Sequence, residues 1–253
     1  MDLPRQPIFN VPAVVGALIV LLSLVHAVRV WLLPGNVDRA LVWALAFVPA
    51  RYDASPFTDG LLPGGWAAEI WSFVTYATLH SDVMHLGVNS IWLLAFGSPL
   101  ARRFGAGRFL LFFAVTIAAG ALANLVMHAG EFSLMIGASA GVSGTMAAAA
   151  RFVFEPGGAL AMWRGDRGDR GDADRVPAAP LLVSLRNPRV MTFLAVWFAL
   201  NLLFGIGSLT LIGAGQSVAW EAHIGGFLAG LLLFSAFDPI NPVPAVPHQH
   251  LAH

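Results

Sequence analysis

The chain has 253 residues, of which 57% are hydrophobic and 11% charged, with a mean hydropathy of +0.73. Because an ordinary soluble domain carries about a quarter charged residues, this composition excludes a soluble globular protein. Fourteen acidic side chains balance fourteen arginines, so no net charge favours binding to nucleic acid. Cysteine is absent, which excludes disulfides, thiolate metal sites and a cysteine nucleophile.

Six segments approach the length of about 20 mostly apolar residues that a spanning helix needs. They are 11–33, 83–100, 108–128, 137–154, 190–210 and 218–237. The first is predicted to be a retained anchor, because its apolar run is long for a signal peptide and is followed by a poor cleavage site. A further apolar stretch, 40–50, is too short to cross. Together with Trp43, Trp66 and Trp71 it predicts a first outer loop that lies in the membrane interface.

The fold class predicted from this pattern is an all-α membrane protein, a bundle of six transmembrane helices. Residues 1–10 are predicted to form a cytoplasmic N-terminus, 11–237 the membrane domain, and 238–253 a disordered cytoplasmic tail. The segment 155–189 within the membrane domain is predicted to be a cytoplasmic linker. Its charge-balanced RGD repeat favours a flexible connection over adhesion. The tail has four prolines and three histidines, His248, His250 and His253, and it fits a disordered end better than a weak metal site. No metal or cofactor is expected.

The distribution of arginines predicts the orientation, since arginines near the ends of spans stay in the cytoplasm. With the N-terminus inside, eleven arginines are cytoplasmic and three, Arg29, Arg39 and Arg51, lie outside. Both termini are therefore predicted to be cytoplasmic.

Polar residues inside spans form three clusters, and such residues usually face the interior of the bundle. His85 and Asn89 share one face of the second span, Ser139 and Ser143 share one face of the fourth, and His223 lies in the sixth. In the predicted orientation these three spans all begin at the outer surface. The five side chains are therefore expected at one depth, just below that surface.

A serine and a histidine at one depth can form a nucleophile and its base. Asn89, His85 and the free N–H groups at the start of the fourth span could donate to an oxyanion. Glu221 and Asp82 are not placed to act as a third member, so a dyad is predicted. Close approach of the fourth and sixth spans is expected through two pairs of glycines, Gly137 with Gly141 and Gly226 with Gly230.

Each residue alone also fits a simpler role. A serine in a Gly/Ala-rich helix usually serves packing, a lone intramembrane histidine can relay protons, and Asn89 can be an interhelical hydrogen bond. His80 fits either a loop residue in water or a neighbour of the site. His26 and His128 are predicted to be polar residues near span ends without a partner.

Four stretches resemble the rhomboid family of intramembrane serine proteases: HSDVMHLGVNS at 80–90, FGSPLARRFG at 96–105, IGASAGVSG at 136–144 and AHIGGFLAG at 222–230. The resemblance covers about 11–237. It implies that Ser139 is the nucleophile, His223 the general base, and His85 and Asn89 the oxyanion donors. It also implies a six-helix fold and hydrolysis of membrane protein substrates in the lipid bilayer. The expected location is the bacterial plasma membrane.

The chain departs from the family pattern at a few positions. Ala140 follows the serine where glycine is usual, Ser143 stands where an aromatic residue is common, and Ser72 follows Trp71 where arginine is common. Ala101 replaces a common acid before the arginine-rich turn. Two other functions fit the same sequence: a non-proteolytic rhomboid-like protein that binds membrane clients and, at a greater distance, a small-solute transporter or proton relay.

Overall fold

The computed structural model describes residues 11–53, 62–160, 173–206 and 219–240, so the RGD repeat at 164–172 and the tail from 241 lie outside the described residues. Regular structure in the described ranges is helical, apart from one isolated bridge between Phe47 and Met135. The N-terminal half contains α1 (Ala13–Ala27), α2 (Gly35–Leu45), α3 (Gly65–Thr75), α4 (Val83–Trp92), α5 (Ser98–Phe104) and α6 (Ala106–Met127). The C-terminal half contains α7 (Ser139–Ala150), α8 (Leu181–Ser184), α9 (Pro188–Ile206) and α10 (Trp220–Phe237).

Two short π-helical segments lengthen the apolar helices. Val28–Leu32 continues α1, and Leu93–Gly97 joins α4 to α5. In the described ranges, four helical stretches are then long and apolar enough to cross a membrane: Ala13–Leu32, Val83–Phe104, Ala106–Met127 and Trp220–Phe237. Helix α7 and the apolar part of α9, Pro188–Leu203, are shorter. The count of six spans therefore stays a prediction.

Helix α7 is the central element of the bundle. Every residue from Ala140 to Ala150 is buried, and α6 and α10 pack most extensively against it. A Cβ atom on Gly226 would lie 2.1 Å from the Ala140 carbonyl oxygen, and one on Gly230 would lie 2.3 Å from the Gly144 carbonyl oxygen. The absence of side chains at these two glycines thus lets the backbones of α7 and α10 touch.

The other predicted glycine pair does not serve this contact. Gly141 faces Phe113 and Ile117 of α6, and Gly137 lies before α7 with a left-handed φ of +116°. The expectation that both pairs join the fourth and sixth spans is therefore wrong for Gly137 and Gly141. The two glycines of α10 alone allow the close approach, because they meet backbone atoms of α7 directly.

The loop after α1 folds into α2 and α3, which pack on each other. The indole nitrogen of Trp71 donates to the Ala44 carbonyl at 2.8 Å, and the Thr75 hydroxyl donates to the Leu45 carbonyl at 2.7 Å. Trp66 and Ile70, four residues apart on α3, are 75% and 70% exposed. One face of α3 is therefore apolar and is not covered by the residues that the structure describes.

Two arginines close the end of the bundle where α10 ends. The buried Arg103 makes two hydrogen bonds to Asp238, at 2.8 and 2.7 Å, and lies over the rings of Phe152 and Phe234. Its neighbour Arg102 pairs with Asp174. Within the predicted linker, 155–189, Asp174 and Val176 thus bind these two arginines.

Candidate active site

Ser139 and His223 meet near the beginnings of two adjacent helices. Ser139 is the first residue of α7 and His223 is the fourth residue of α10. The Ser139 hydroxyl oxygen lies 2.7 Å from Nε2 of His223, which is hydrogen-bonding distance. The contact depends on the close packing at Gly226, one turn after His223, because a side chain there would push α10 away from Ala140.

A third residue, Asn201 of α9, contacts the other nitrogen of the same imidazole. Its Oδ1 lies 2.6 Å from Nδ1 of His223. The sequence predicts a dyad and does not single out Asn201. The available signal is an amide inside an apolar span, which in lipid needs a polar partner. The expected candidates for a third member were acids, and the structure places an amide there.

His85 and Asn89 lie on α4 beside the segment that leads into Ser139. A Cβ atom on Gly137 would be 2.6 Å from Nε2 of His85 and 3.8 Å from Nδ2 of Asn89. Nδ2 of Asn89 is buried and has no hydrogen-bond partner in the described part of the chain. A buried, unpaired amide donor is costly unless a ligand accepts from it. Its position beside Gly137, two residues before Ser139, suits an oxyanion.

The start of α7 adds backbone donors to the same place. Ala138 precedes the helix without a side-chain cap, so the first N–H groups of α7, from Ser139 onward, have no intrahelical acceptor. The positive end of the helix dipole also points there. Backbone donors therefore lie at the end of α7 that carries Ser139.

The two remaining predicted site residues take different positions. Ser143 is buried one turn further along α7, and both ring nitrogens of His223 are already engaged by Ser139 and Asn201. His80 is fully buried, and its ring packs edge to face on His85 at 4.9 Å. His80 therefore adjoins the site through His85, as a packing neighbour rather than a residue in water. Its burial lowers the pKa of His80 to about 3.

The acidic residues near the site are engaged elsewhere. Glu221 accepts a hydrogen bond from Asn124 of α6 at 2.7 Å and lies 3.3 Å from Nε2 of His128. The other ring nitrogen of His128 lies 2.9 Å from Glu131. The prediction that His128 has no partner is therefore wrong, because the turn after α6 brings it to Glu221 and Glu131.

The model of the rhomboid domain matches residues 67–164 and 173–237 of this chain. The chain belongs to the rhomboid family. The matched ranges include α4 with His85 and Asn89, α7 with Ser139, and α10 with His223.

Several curated rhomboid proteins are similar in sequence. Rhomboid-related protein 3 of Homo sapiens is 36% identical over 75 residues, covering 30% of this chain and 18% of that protein. Rhomboid protease GlpG of Serratia proteamaculans is 25% identical over 166 residues, covering 65% and 47%. Rhomboid-like protease 3 of Toxoplasma gondii is 28% identical over 218 residues, covering 83% and 68%. The chain thus spans less than half the length of the first two.

Proposed function

We propose that this rhomboid is an intramembrane serine protease that hydrolyses peptide bonds in or beside transmembrane helices of membrane protein substrates. The observation that carries the proposal is the 2.7 Å contact between the Ser139 hydroxyl and Nε2 of His223. A serine becomes a strong nucleophile only when an adjacent base takes its proton. The protease names of two of the similar proteins support the same activity.

In the acylation step, the Ser139 oxygen attacks the carbonyl carbon of the scissile bond while its proton passes to Nε2 of His223. The carbonyl oxygen becomes an oxyanion, which accepts hydrogen bonds from Asn89, His85 and the N–H groups at the start of α7. When the C–N bond breaks, His223 returns the proton to the departing amine. Ser139 then carries the new N-terminal fragment as an ester.

In the deacylation step, water replaces the amine. His223 takes a proton from the water molecule, the resulting hydroxide attacks the ester carbon, and the same donors hold the second oxyanion. Breaking the ester bond returns the proton to the Ser139 oxygen and releases a carboxylic acid. The enzyme ends in its starting state without any cofactor.

In the membrane, we propose six spans with both termini in the cytoplasm, so that the start of α7 lies near the outer surface. The eleven to three distribution of arginines supports this orientation. The exposed Trp66 and Ile70 support a first outer loop whose α3 lies in the interface, because tryptophan is enriched at the headgroup level. Location in a bacterial plasma membrane stays a prediction that membrane fractionation checks.

The substrates are expected to be helices that unwind easily near their outer end. The carbonyl groups of an intact helix are shielded by backbone hydrogen bonds, and unwinding is least costly where Gly, Pro or other weak helix formers are present. Replacing such residues by leucine in a reporter should slow cleavage. Equal rates for an all-leucine helix would contradict this substrate class.

The test uses the full chain reconstituted with a single-span reporter that has Gly and Pro near its outer end. Ser139→Ala and His223→Ala should each abolish cleavage, and a fluorophosphonate should label the wild type but not Ser139→Ala. Asn89→Ala should lose on the order of a hundredfold in rate, since one oxyanion donor contributes about this much. The matched control is Ser143→Ala, one turn along the same helix, which should stay active.

The proposal fails if Ser139→Ala cleaves the reporter at the wild-type rate. It also fails if neither cleavage nor labelling occurs while the reporter still binds, which would support a client-binding protein instead.

A further inference from the structure

Asn201 of α9 faces the imidazole of His223 from the side opposite Ser139. The two ring nitrogens have different partners: Nδ1 contacts Oδ1 of Asn201 at 2.6 Å and Nε2 contacts the Ser139 hydroxyl at 2.7 Å. The three side chains therefore form one line across α9, α10 and α7.

The orientation of the Asn201 amide is fixed by its second contact. Its Nδ2 donates to the backbone carbonyl of Trp197, one turn earlier in α9, at 2.9 Å. A carbonyl oxygen can only accept, so the NH₂ end of the amide must face Trp197. The oxygen end of Asn201 then faces His223 and can only accept as well.

This orientation determines which nitrogen of His223 carries the proton. Because Oδ1 of Asn201 accepts, Nδ1 of the neutral ring must be the donor, and Nε2 is left with a lone pair. That lone pair is what accepts the proton of the Ser139 hydroxyl. An asparagine turned the other way would donate to Nδ1, place the proton on Nε2 and remove the base, a tautomer change that is highly damaging in serine proteases.

An aromatic contact holds α9 in the register that this arrangement needs. Trp197 stacks on Phe227 with ring centroids 4.1 Å apart. Trp197 precedes Asn201 by four residues, and Phe227 follows His223 by four. The stacked rings thus form a layer one helical turn from the Asn201 and His223 layer. Both aromatic rings are buried, with 7% and 0% exposure.

We propose that Asn201 is a positioning residue that fixes the tautomer and orientation of His223, so that the active centre is a Ser139–His223–Asn201 triad. The proposal rests on the protease function proposed above. Asn201 contacts Nδ1 of His223 and not Nε2, the nitrogen that exchanges the proton, so it acts through the imidazole. Glu221, two residues from His223, does not supply this function because it is bound to Asn124 and lies beside His128.

The experiment compares Asn201→Leu with Asn201→Asp and with the control Leu200→Ala, a change at an exposed neighbour on α9. Asn201→Leu removes the acceptor and should lower kcat and the rate of fluorophosphonate labelling by roughly 10- to 100-fold, with KM within about twofold of wild type. Asn201→Asp keeps an acceptor of the same shape and should restore most of the activity. A carboxylate beside the imidazole favours its protonated form, so the acidic limb of the pH profile should move to higher pH.

Two outcomes overturn the positioning role. In the first, Asn201→Leu cleaves and is labelled at wild-type rates while Ser139→Ala is inactive, which leaves the protease proposal intact. In the second, Asn201→Asp loses as much activity as Asn201→Leu and its pH profile does not move, which indicates a structural role only. If Asn201→Leu does not fold, the pH profile of Asn201→Asp decides. An active Ser139→Ala would instead overturn the protease function itself.

Discussion

Gly137 sets the distance between α4 and the segment that carries Ser139. Its φ of +116° lies in the left-handed region, where residues with a Cβ atom are strained. The same Cβ would lie 2.6 Å from Nε2 of His85, and the N–H group of Gly137 donates to the Tyr76 carbonyl at 3.0 Å. This hydrogen bond restrains the backbone of Gly137 beside His85. One missing side chain brings the proposed oxyanion donors to the nucleophile.

Gly137→Ala is expected to lower kcat/KM by at least about a hundredfold, because displacing His85 removes one oxyanion donor. Cleavage of the reporter and thermal unfolding of the purified protein measure the effect. The control is Gly87→Ala, which lies on α4 between His85 and Asn89 and has open space around the added methyl group. The control should keep its activity, and wild-type activity in Gly137→Ala would contradict the close approach of His85 to Gly137.

The sequence predicts some residues of the candidate site and not others. Ser139, His223, His85 and Asn89 all lie within a few turns of the start of a predicted span, so counting helix rise places them at one depth. Asn201 lies nine residues before the predicted end of its span, about 13 Å by helix rise, whereas His223 lies about 8 Å into its own. Helix tilt and packing bring the two together, and neither can be read from the sequence.

At the scale of the helix, α4 begins with a side-chain cap that also orders the proposed site. The Asp82 carboxylate accepts a hydrogen bond from the backbone N–H of His85 at 2.9 Å and another from the Ser81 hydroxyl. The bond from the His85 N–H is the main cause that lowers the pKa of Asp82, and Ser81 adds to it. Ser81 also lies 3.2 Å from Nδ1 of His85. The cap thus holds the turn that carries His85.

Asp82→Ala is expected to lower the free energy of unfolding by about 1 kcal/mol, the usual loss for an N-cap. A carboxyl whose pKa is lowered by folding stabilises the protein above its unfolded pKa, about 3.9, and this contribution is lost as the pH falls through the lower folded value. Measuring the free energy of unfolding from pH 6 to pH 3 checks this.

The control Asp82→Asn keeps an acceptor without the charge, so it should lose less stability than Asp82→Ala at neutral pH. If the free energy of unfolding of Asp82→Ala fell below pH 4 as steeply as that of the wild type, the assignment of Asp82 as the titrating cap would be contradicted.

The helix ends show where prediction from sequence stops. The predicted fourth span, 137–154, is a helix only from Ser139 to Ala150. The helix begins only after Gly137, whose N–H group donates a hydrogen bond to the Tyr76 carbonyl. After its end, the Arg151 side chain donates to the Leu231 and Ala179 carbonyls. The apolar pattern predicts the helix itself, but these distant partners set its length.

At the scale of the whole molecule, the proposed orientation places the linker and the loop after α6 on opposite sides of the membrane. The chain has no cysteine, so single cysteines can report the side directly. In sealed vesicles, Gly168→Cys and Phe132→Cys should react with an impermeant thiol reagent from opposite sides. Phe132 is exposed in the structure, and detergent-opened vesicles serve as the control. Labelling of both from one side would contradict the shared depth of the three spans.

Arg102 and Arg103 have two roles in the proposed orientation. As cations near the cytoplasmic end of a span, they contribute to the charge asymmetry that directs insertion. In the finished bundle Arg102 is neutralised by Asp174 and Arg103 by Asp238, and the Arg103 side chain is fully buried. Two of the arginines that favour the proposed orientation thus add little net charge to the folded protein, because each has an acidic partner.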